Sequence, residues 1–437
     1  MLSRRFRVAA LVLGGSGCTL VPGDPDADPD ASTGTTDSGS SASDPGEPPP
    51  EPNGTTTGLS TTSTEGGATD EPVDEPGDAT VLGEALTVDL AGLPFEPLSL
   101  EIGDFDGDGV LDLLITGTAD GAVRSATLLG HGDGTFAAPL DNGMVACSAY
   151  PVVGRLSDDV RDDVLIAGCN GEYLATLVAN PDATLVPWAP WPQVYGSGAR
   201  SAIVGDFEGD GDNDVVMVAV QALPDGDAWI SLFESNGGTG FWGGGGLGLG
   251  PIAQSGFEPN RLVAGHFDGD DVLDVALTDQ GHDIARWFGV PGGFAFGLEL
   301  GVELDPWSTL VGDLDGDGVD ELVVTSYLES SLQVLANDGS GEFTPTGPLA
   351  LAHAPYDAAL ADLDGDGLVD LVTVDDSEAA VRWLSGDGSG GLGPGQLRAL
   401  PSPAIRVHAA DLDGDGHADL AAATFAADSV SVILSGP

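Results

Sequence analysis

Carboxylates recur in this sequence at the first, third, fifth and ninth positions of a nine-residue phrase, Asp-x-Asp-Gly-Asp-Gly-x-x-Asp. Complete sets stand at Asp104, Asp106, Asp108 and Asp112, and at Asp206, Glu208, Asp210 and Asp214. Three more follow: Asp313, Asp315, Asp317 and Glu321; Asp362, Asp364, Asp366 and Asp370; and Asp411, Asp413, Asp415 and Asp419. A sixth copy opens on His266 and keeps Asp268, Asp270 and Asp274, so its site is expected to be the weakest. A seventh, Arg155 to Asp163, keeps the frame but carries Ser157 at the third position, and is expected to bind nothing.

Four carboxylates and a position-7 carbonyl, bent inward at glycines, form an oxygen-only ligand set that suits calcium. The expectation is about six calcium ions. An EF-hand would need Glu at the twelfth position, where these copies carry strand residues such as Ile115 and Val324. The rival reading is an acidic, glycine-rich turn without metal. Repetition argues against it, because four like charges in one turn repel when nothing compensates them. Ligation by the whole turn leaves little open coordination, so a catalytic role for these ions is not expected.

The copies begin at residues 104, 155, 206, 266, 313, 362 and 411, a period that signals a stacked or circular repeat array. Within each period an apolar strand enters the acidic loop and a β-branched strand leaves it, as in VVMVAV and LVVTS. A third strand, a glycine-rich turn such as HGDGTF or NDGSGEF, and a fourth strand complete the unit. Four antiparallel strands in about 50 residues make a propeller blade. The chain ends at SVILSGP, a third strand with no fourth, while an orphan strand lies at Leu82 to Leu90. The expected fold is therefore all-β: a seven-bladed propeller over residues 79–437, closed by its N-terminal strand.

Residues 1–17 read as a lipoprotein-type signal peptide, with Arg4, Arg5 and Arg7 ahead of a short apolar stretch. Gly15-Ser16-Gly17-Cys18 resembles a bacterial lipobox, with lipidation expected on Cys18 and Gly15 departing from the usual aliphatic residue. Residues 18–78, rich in Pro, Gly, Ser, Thr and acidic residues, are expected to form a disordered tether. The expected location is the bacterial outer membrane or cell surface, or otherwise the medium. Formal charge is −59 and all 12 basic residues are Arg, which argues against nucleic acid or an anionic membrane surface as a direct partner. Cys147 and Cys169 flank the degenerate copy, where hairpin pairing about Asp159 would bring them within bridging distance, so a disulfide is expected there.

The loop DxDGDGxxD, the apolar strand after it and LLGHGDGTF resemble FG-GAP and VCBS-type repeats, including those of the integrin α-subunit propeller. The resemblance implies a seven-bladed propeller with calcium between the first and second strands of most blades. It also implies that partners bind on the face opposite the calcium loops. Just ahead of the first strands on that face stand Tyr150, Arg200, Arg261, Trp307, Tyr356 and Arg406. Guanidinium groups with aromatic faces suit an anionic or carbohydrate ligand. The plainer reading is that they plug the channel mouth and pair with nearby acids. The expected function is a monomeric, non-enzymatic binding or adhesion module for a surface carbohydrate or protein. The alternative is a lyase-like polysaccharide-degrading enzyme. The six histidines are scattered and no nucleophile motif is present, which favours binding.

Overall fold

The computed structural model describes residues 82–119, 122–146, 151–157, 159–169, 173–187, 199–220, 228–234, 247–252, 259–270, 272–279, 283–290, 293–297, 300–302 and 305–436. The expected leader, Cys18 and tether lie outside them, as do Cys147, Tyr150 and the side chains of Cys169 and Arg200.

The chain is an all-β propeller with four-stranded blades. Sheet I is built from Glu96–Gly103, Asp112–Ala119, Ala122–Leu128 and Leu140–Ala146. Sheets II and III begin at Pro151–Gly154 and Ala199–Gly205, and sheet IV at Pro259–Gly265. Sheets V, VI and VII begin at Ser308–Gly312, Asp357–Ala361 and Val407–Ala410. Sheets I to VI run outward through antiparallel neighbours in sequence order, and sheets IV and V carry an extra two-residue strand. The outer strand of sheet VII is Leu86–Asp89, which pairs with Ser429–Ile433 in the register Leu86↔Val432 to Asp89↔Ser429. Leu82 extends this pairing by a bridge to Ser435.

The second strands are apolar without alternation because both their faces are covered by neighbouring sheets. Asp370–Val374 and Glu321–Ser326 are buried at every position. Apolar clusters form between successive sheets. One joins Leu100, Leu113 and Ile115 of sheet I to Ala421, Val430 and Val432 of sheet VII, so the first and last sheets pack together.

The loop after each first strand supplies a wedge to these clusters. Position 2 of each phrase is Phe105, Leu156, Phe207, Phe267, Leu314, Leu363 or Leu412, and all seven are buried. Phe105 enters the cluster with Val164 and Ile166 of sheet II, and Phe267 the one with Leu322 and Val324 of sheet V. Each acidic loop thus anchors the next sheet through an apolar side chain, independently of any metal. Gly265 ends its strand where an added Cβ would lie 2.6 Å from Val311, so the next sheet's approach demands glycine there.

Candidate metal loops and the opposite face

The phrase folds as a ladder of Asx turns. In the first copy the N–H groups of Gly107 and Gly109 donate to the two Asp104 carboxylate oxygens at 2.7 and 3.0 Å. Asp106 accepts from Asp108 N–H at 3.0 Å, and Asp108 from Val110 N–H at 2.8 Å. Gly107 and Gly109 sit at φ 81° and 88°, the left-handed region that glycine reaches without strain. The pattern returns at Asp313, Asp362 and Asp411.

The ninth position has a second role. Asp112 is buried, accepts Phe105 N–H at 2.9 Å through one oxygen and Gly130 N–H at 2.8 Å through the other. It therefore ties the loop to the end of the third strand. Asp370 does the same with Leu363 and Gly386, and Asp419 with Leu412 and Ser435. Asp163 of the degenerate copy keeps this clamp on Leu156 and Ala179, although its loop has lost other carboxylates. Glu321 departs from the pattern: one oxygen accepts from Leu314 at 2.8 Å, while buried Oε1 has no partner.

Burial and then neighbouring carboxylates lift the ninth-position groups. Asp112, Asp370 and Asp419 rise to about 6, Asp274 and Glu321 to about 7. Asp106, Glu208 and Asp364 are also raised by the same two causes, partly offset in Asp106 and Asp364 by a backbone hydrogen bond. The loops thus concentrate negative charge that a bound cation would relieve. In four of them, three carboxylates bring one oxygen each within 4.8 Å of one another: Asp104, Asp106 and Asp108; Asp313, Asp315 and Glu321; Asp362, Asp364 and Asp370; Asp411, Asp413 and Asp419. The oxygen-only set and the orphaned Glu321 oxygen fit a hard divalent cation. Among the described residues, the copies at Asp206 and His266 do not converge to that degree. In the latter the His266 ring nitrogen Nδ1 lies 3.2 Å from the Val272 carbonyl, the position-7 oxygen expected to face the metal.

The degenerate loop carries its own cation. Arg161, at position 7, pairs with Asp159 at position 5 and donates through Nε to the Ala179 carbonyl at 2.8 Å. Sequence reasoning assigned the compensation in this blade to a disulfide and passed over Arg161. The two cysteine side chains lie outside the described residues.

The opposite ends of the same strands hold a different chemistry. Trp307 precedes Ser308–Gly312, Tyr327 follows Glu321–Ser326, and Tyr356 precedes Asp357–Ala361. Their rings meet, with centroids 5.3 Å apart for Trp307–Tyr327, 5.6 Å for Trp307–Tyr356 and 6.0 Å for Tyr327–Tyr356. All three are half-buried, and the Trp307 indole N–H donates to the Tyr356 carbonyl at 2.7 Å. The Tyr327 hydroxyl reaches Asp376 at 3.4 Å. Burial and then Asp376 raise its pKa. Glu329 accepts from Ser326 Oγ and from Asp305 N–H. Sequence reasoning found Trp307 and Tyr356 but missed Tyr327; its place just after a second strand was the available signal.

Arg261, expected beside these rings, is placed differently, while Arg406 is half-buried and donates to the Ile405 carbonyl at 3.0 Å. Arg261 is 5 % exposed and donates to Ser308 Oγ at 2.6 Å. It lies within electrostatic reach of buried Glu101 and Asp357 and of Arg406, contributed by sheets I, VI and VII. Burial lowers the Arg261 pKa, and it raises that of Glu101 well above the carboxylate range. His408, wholly buried, bonds through Nε2 to the Leu100 carbonyl at 2.7 Å, and burial lowers its pKa to about 4. Arg261 therefore belongs to an interior charge network at the inner strands.

Residues 313–373 and 362–422 match the FG-GAP-like repeat model, so the chain carries FG-GAP-like repeats. No curated protein matches the sequence significantly. Two crystal structures of BBS1N in complex with ARL6DN resemble the fold. One, soaked with mercury, has a TM-score of 0.55 at 10% identity, covering 82% of this chain and 97% of that one. The other, soaked with lead, has a TM-score of 0.53 at 12% identity, covering 82% and 98%. A lectin from Agrocybe aegerita that recognises non-reducing terminal N-acetylglucosamine has a TM-score of 0.47 at 18% identity, covering 71% and 81%. At these identities the likeness concerns the fold alone.

Proposed function

We propose that this chain is a seven-bladed display propeller, stapled by calcium on one face and binding an extracellular carbohydrate or protein on the other. A lipid on Cys18 and the acidic tether of residues 18–78 would hold it at the bacterial surface. The observation that carries the binding face is the Trp307, Tyr327 and Tyr356 cluster, half-buried at the strand ends opposite the carboxylate loops. Aromatic surface beside hydrogen-bonding carboxylates is the usual makeup of a binding site. Calcium is supported by four converging carboxylate sets and the partnerless Glu321 oxygen.

The same geometry favours binding over lyase chemistry. A lyase needs a base beside an accessible cationic or metal charge sink; of Arg200, Arg261 and Arg406, the arginines that could serve, Arg261 is sealed in the interior. The test is an array of glycans and extracellular proteins probed with the wild-type chain and with Trp307→Ala. Loss of the wild-type signals in the variant, with its calcium-dependent melting intact, supports the reading. Identical signals from both proteins overturn it.

A further inference from the structure

The aromatic cluster selects a charge class of ligand. Acidic groups stand at the cluster and its flanking turns: Asp376 at the Tyr327 hydroxyl, and Glu329 joined to Ser326 and Asp305 ahead of Trp307. Asp375, next in sequence to Asp376, is 4 % exposed and accepts from Ser377 N–H. Two described guanidiniums, of sheets VI and IV, are engaged below the surface. Arg382 is 6 % exposed, donates to His353 Nδ1 at 2.8 Å and pairs with Glu378 at 3.2 Å. Arg261 is 5 % exposed and held on Ser308.

A ring face carries negative quadrupole density, so carboxylates at its edge add to the same field and attract a cation stacked on it. The chain's formal charge of −59 extends that attraction beyond the site. An anionic glycan would meet the Asp376 carboxylate here, at the edge of the Tyr327 ring. The rings lie 5.3 to 6.0 Å apart and stand tilted or edge-on to one another, at interplanar angles of 37°, 62° and 90°, so a ligand stacks on one ring face at a time. A sugar ring stacked on Tyr327 while its amine reaches Asp376 engages the aromatic face and the carboxylate together.

We infer that Trp307, Tyr327 and Tyr356, with Asp376 at their edge, bind a cationic amino sugar bearing a free amine. The amine would pair with Asp376 and the pyranose face would stack on the Tyr327 ring. This rests on the binding-face reading above and sharpens it: the anionic ligands suggested by the arginines in the sequence are disfavoured.

The experiment is calorimetric titration of the calcium-loaded full chain with three oligosaccharide sets of matched length: glucosamine oligomers, N-acetylglucosamine oligomers and oligogalacturonate. Each is run at low and high salt. The expected result is that glucosamine oligomers bind most tightly, weaken as salt rises, and lose about 2- to 30-fold on Tyr327→Ala, the range of one cation–π contact. Asp376→Asn, which keeps shape and removes charge, should abolish the preference for the free amine over the N-acetylated oligomer even if Tyr327→Ala folds poorly. Equal or tighter binding of the acetylated or uronate set, or binding indifferent to salt, overturns the inference while leaving the display reading intact. Failure of all three to bind also overturns it, and the array then judges the display reading separately.

Discussion

Removing calcium should lower the melting temperature by an amount the loops themselves define. Four loops bring three carboxylates together, a fifth keeps all four carboxylates in sequence and the sixth, at His266, keeps three. Extracellular calcium modules bind at about 10⁻⁴ to 10⁻³ M, so about 1 mM calcium stabilises each site by roughly 0.4 to 1.4 kcal/mol. Four to six sites then contribute on the order of 2 to 8 kcal/mol. A propeller of about 350 residues unfolds with an entropy near 0.7 kcal/mol/K, at roughly 2.1 cal/mol/K per residue, so the shift is about 3 to 11 °C. The assay is a pair of melts by circular dichroism, in 1 mM calcium and in EDTA, with a magnesium control and metal analysis of the dialysed protein. Four to six calcium ions per chain are expected. Superimposable melts, or metal analysis without calcium, would refute the reasoning, because the loops would then be turns held by hydrogen bonds alone.

Two carboxylates of one loop should separate the roles of its positions. Asp364→Asn should cost one bound calcium and lower the melt only when calcium is present, whereas Asp370→Asn should lower it in EDTA as well, because Asp370 clamps Leu363 and Gly386. Phe105→Ala should destabilise by about 3 to 5 kcal/mol with or without calcium, read by chemical denaturation, since it empties the wedge between sheets I and II. Metal-free protein should lose stability as pH rises from about 4 to 7. Over that window the folded chain still holds protons on Asp112, Asp274, Glu321, Asp370 and Asp419 that the unfolded chain has released. His408 pulls the other way, with one group against five. Melts in EDTA at pH 5 and pH 7.5 check this, and a higher melt at pH 7.5 would contradict it. Thiol titration of the unfolded, unreduced protein tests the Cys147–Cys169 bridge: a bridged pair leaves both unreactive, and two reactive groups at these positions exclude it.

The acidic phrase was legible because its chemistry is local. An Asx turn uses neighbours two to five residues away, so Asp104 and its partners announce the turn without reference to the rest of the chain. The period and the displaced strand Leu86–Asp89 were legible for a similar reason, since each blade repeats one pattern of short antiparallel strands. The double duty of Asp112 was not. Its second partner is Gly130, across a whole hairpin, and nothing in nine residues reports that bond. Arg161 was missed because its counter-charge comes from a degenerate loop read as empty.

By itself, then, the amino-acid order determined the blades, the turns and the candidate ligands, because these depend on spacing along one strand or loop. Only the tertiary structure decided which side chains of different blades meet. Closing the ring turns Arg261 inward to Ser308 and Glu101, drawn by charge in a low-dielectric interior, and leaves Trp307, Tyr327 and Tyr356 half-buried with acids at their edge. Tyr327 and Tyr356 belong to different blades, and no periodicity along the chain encodes contact between them.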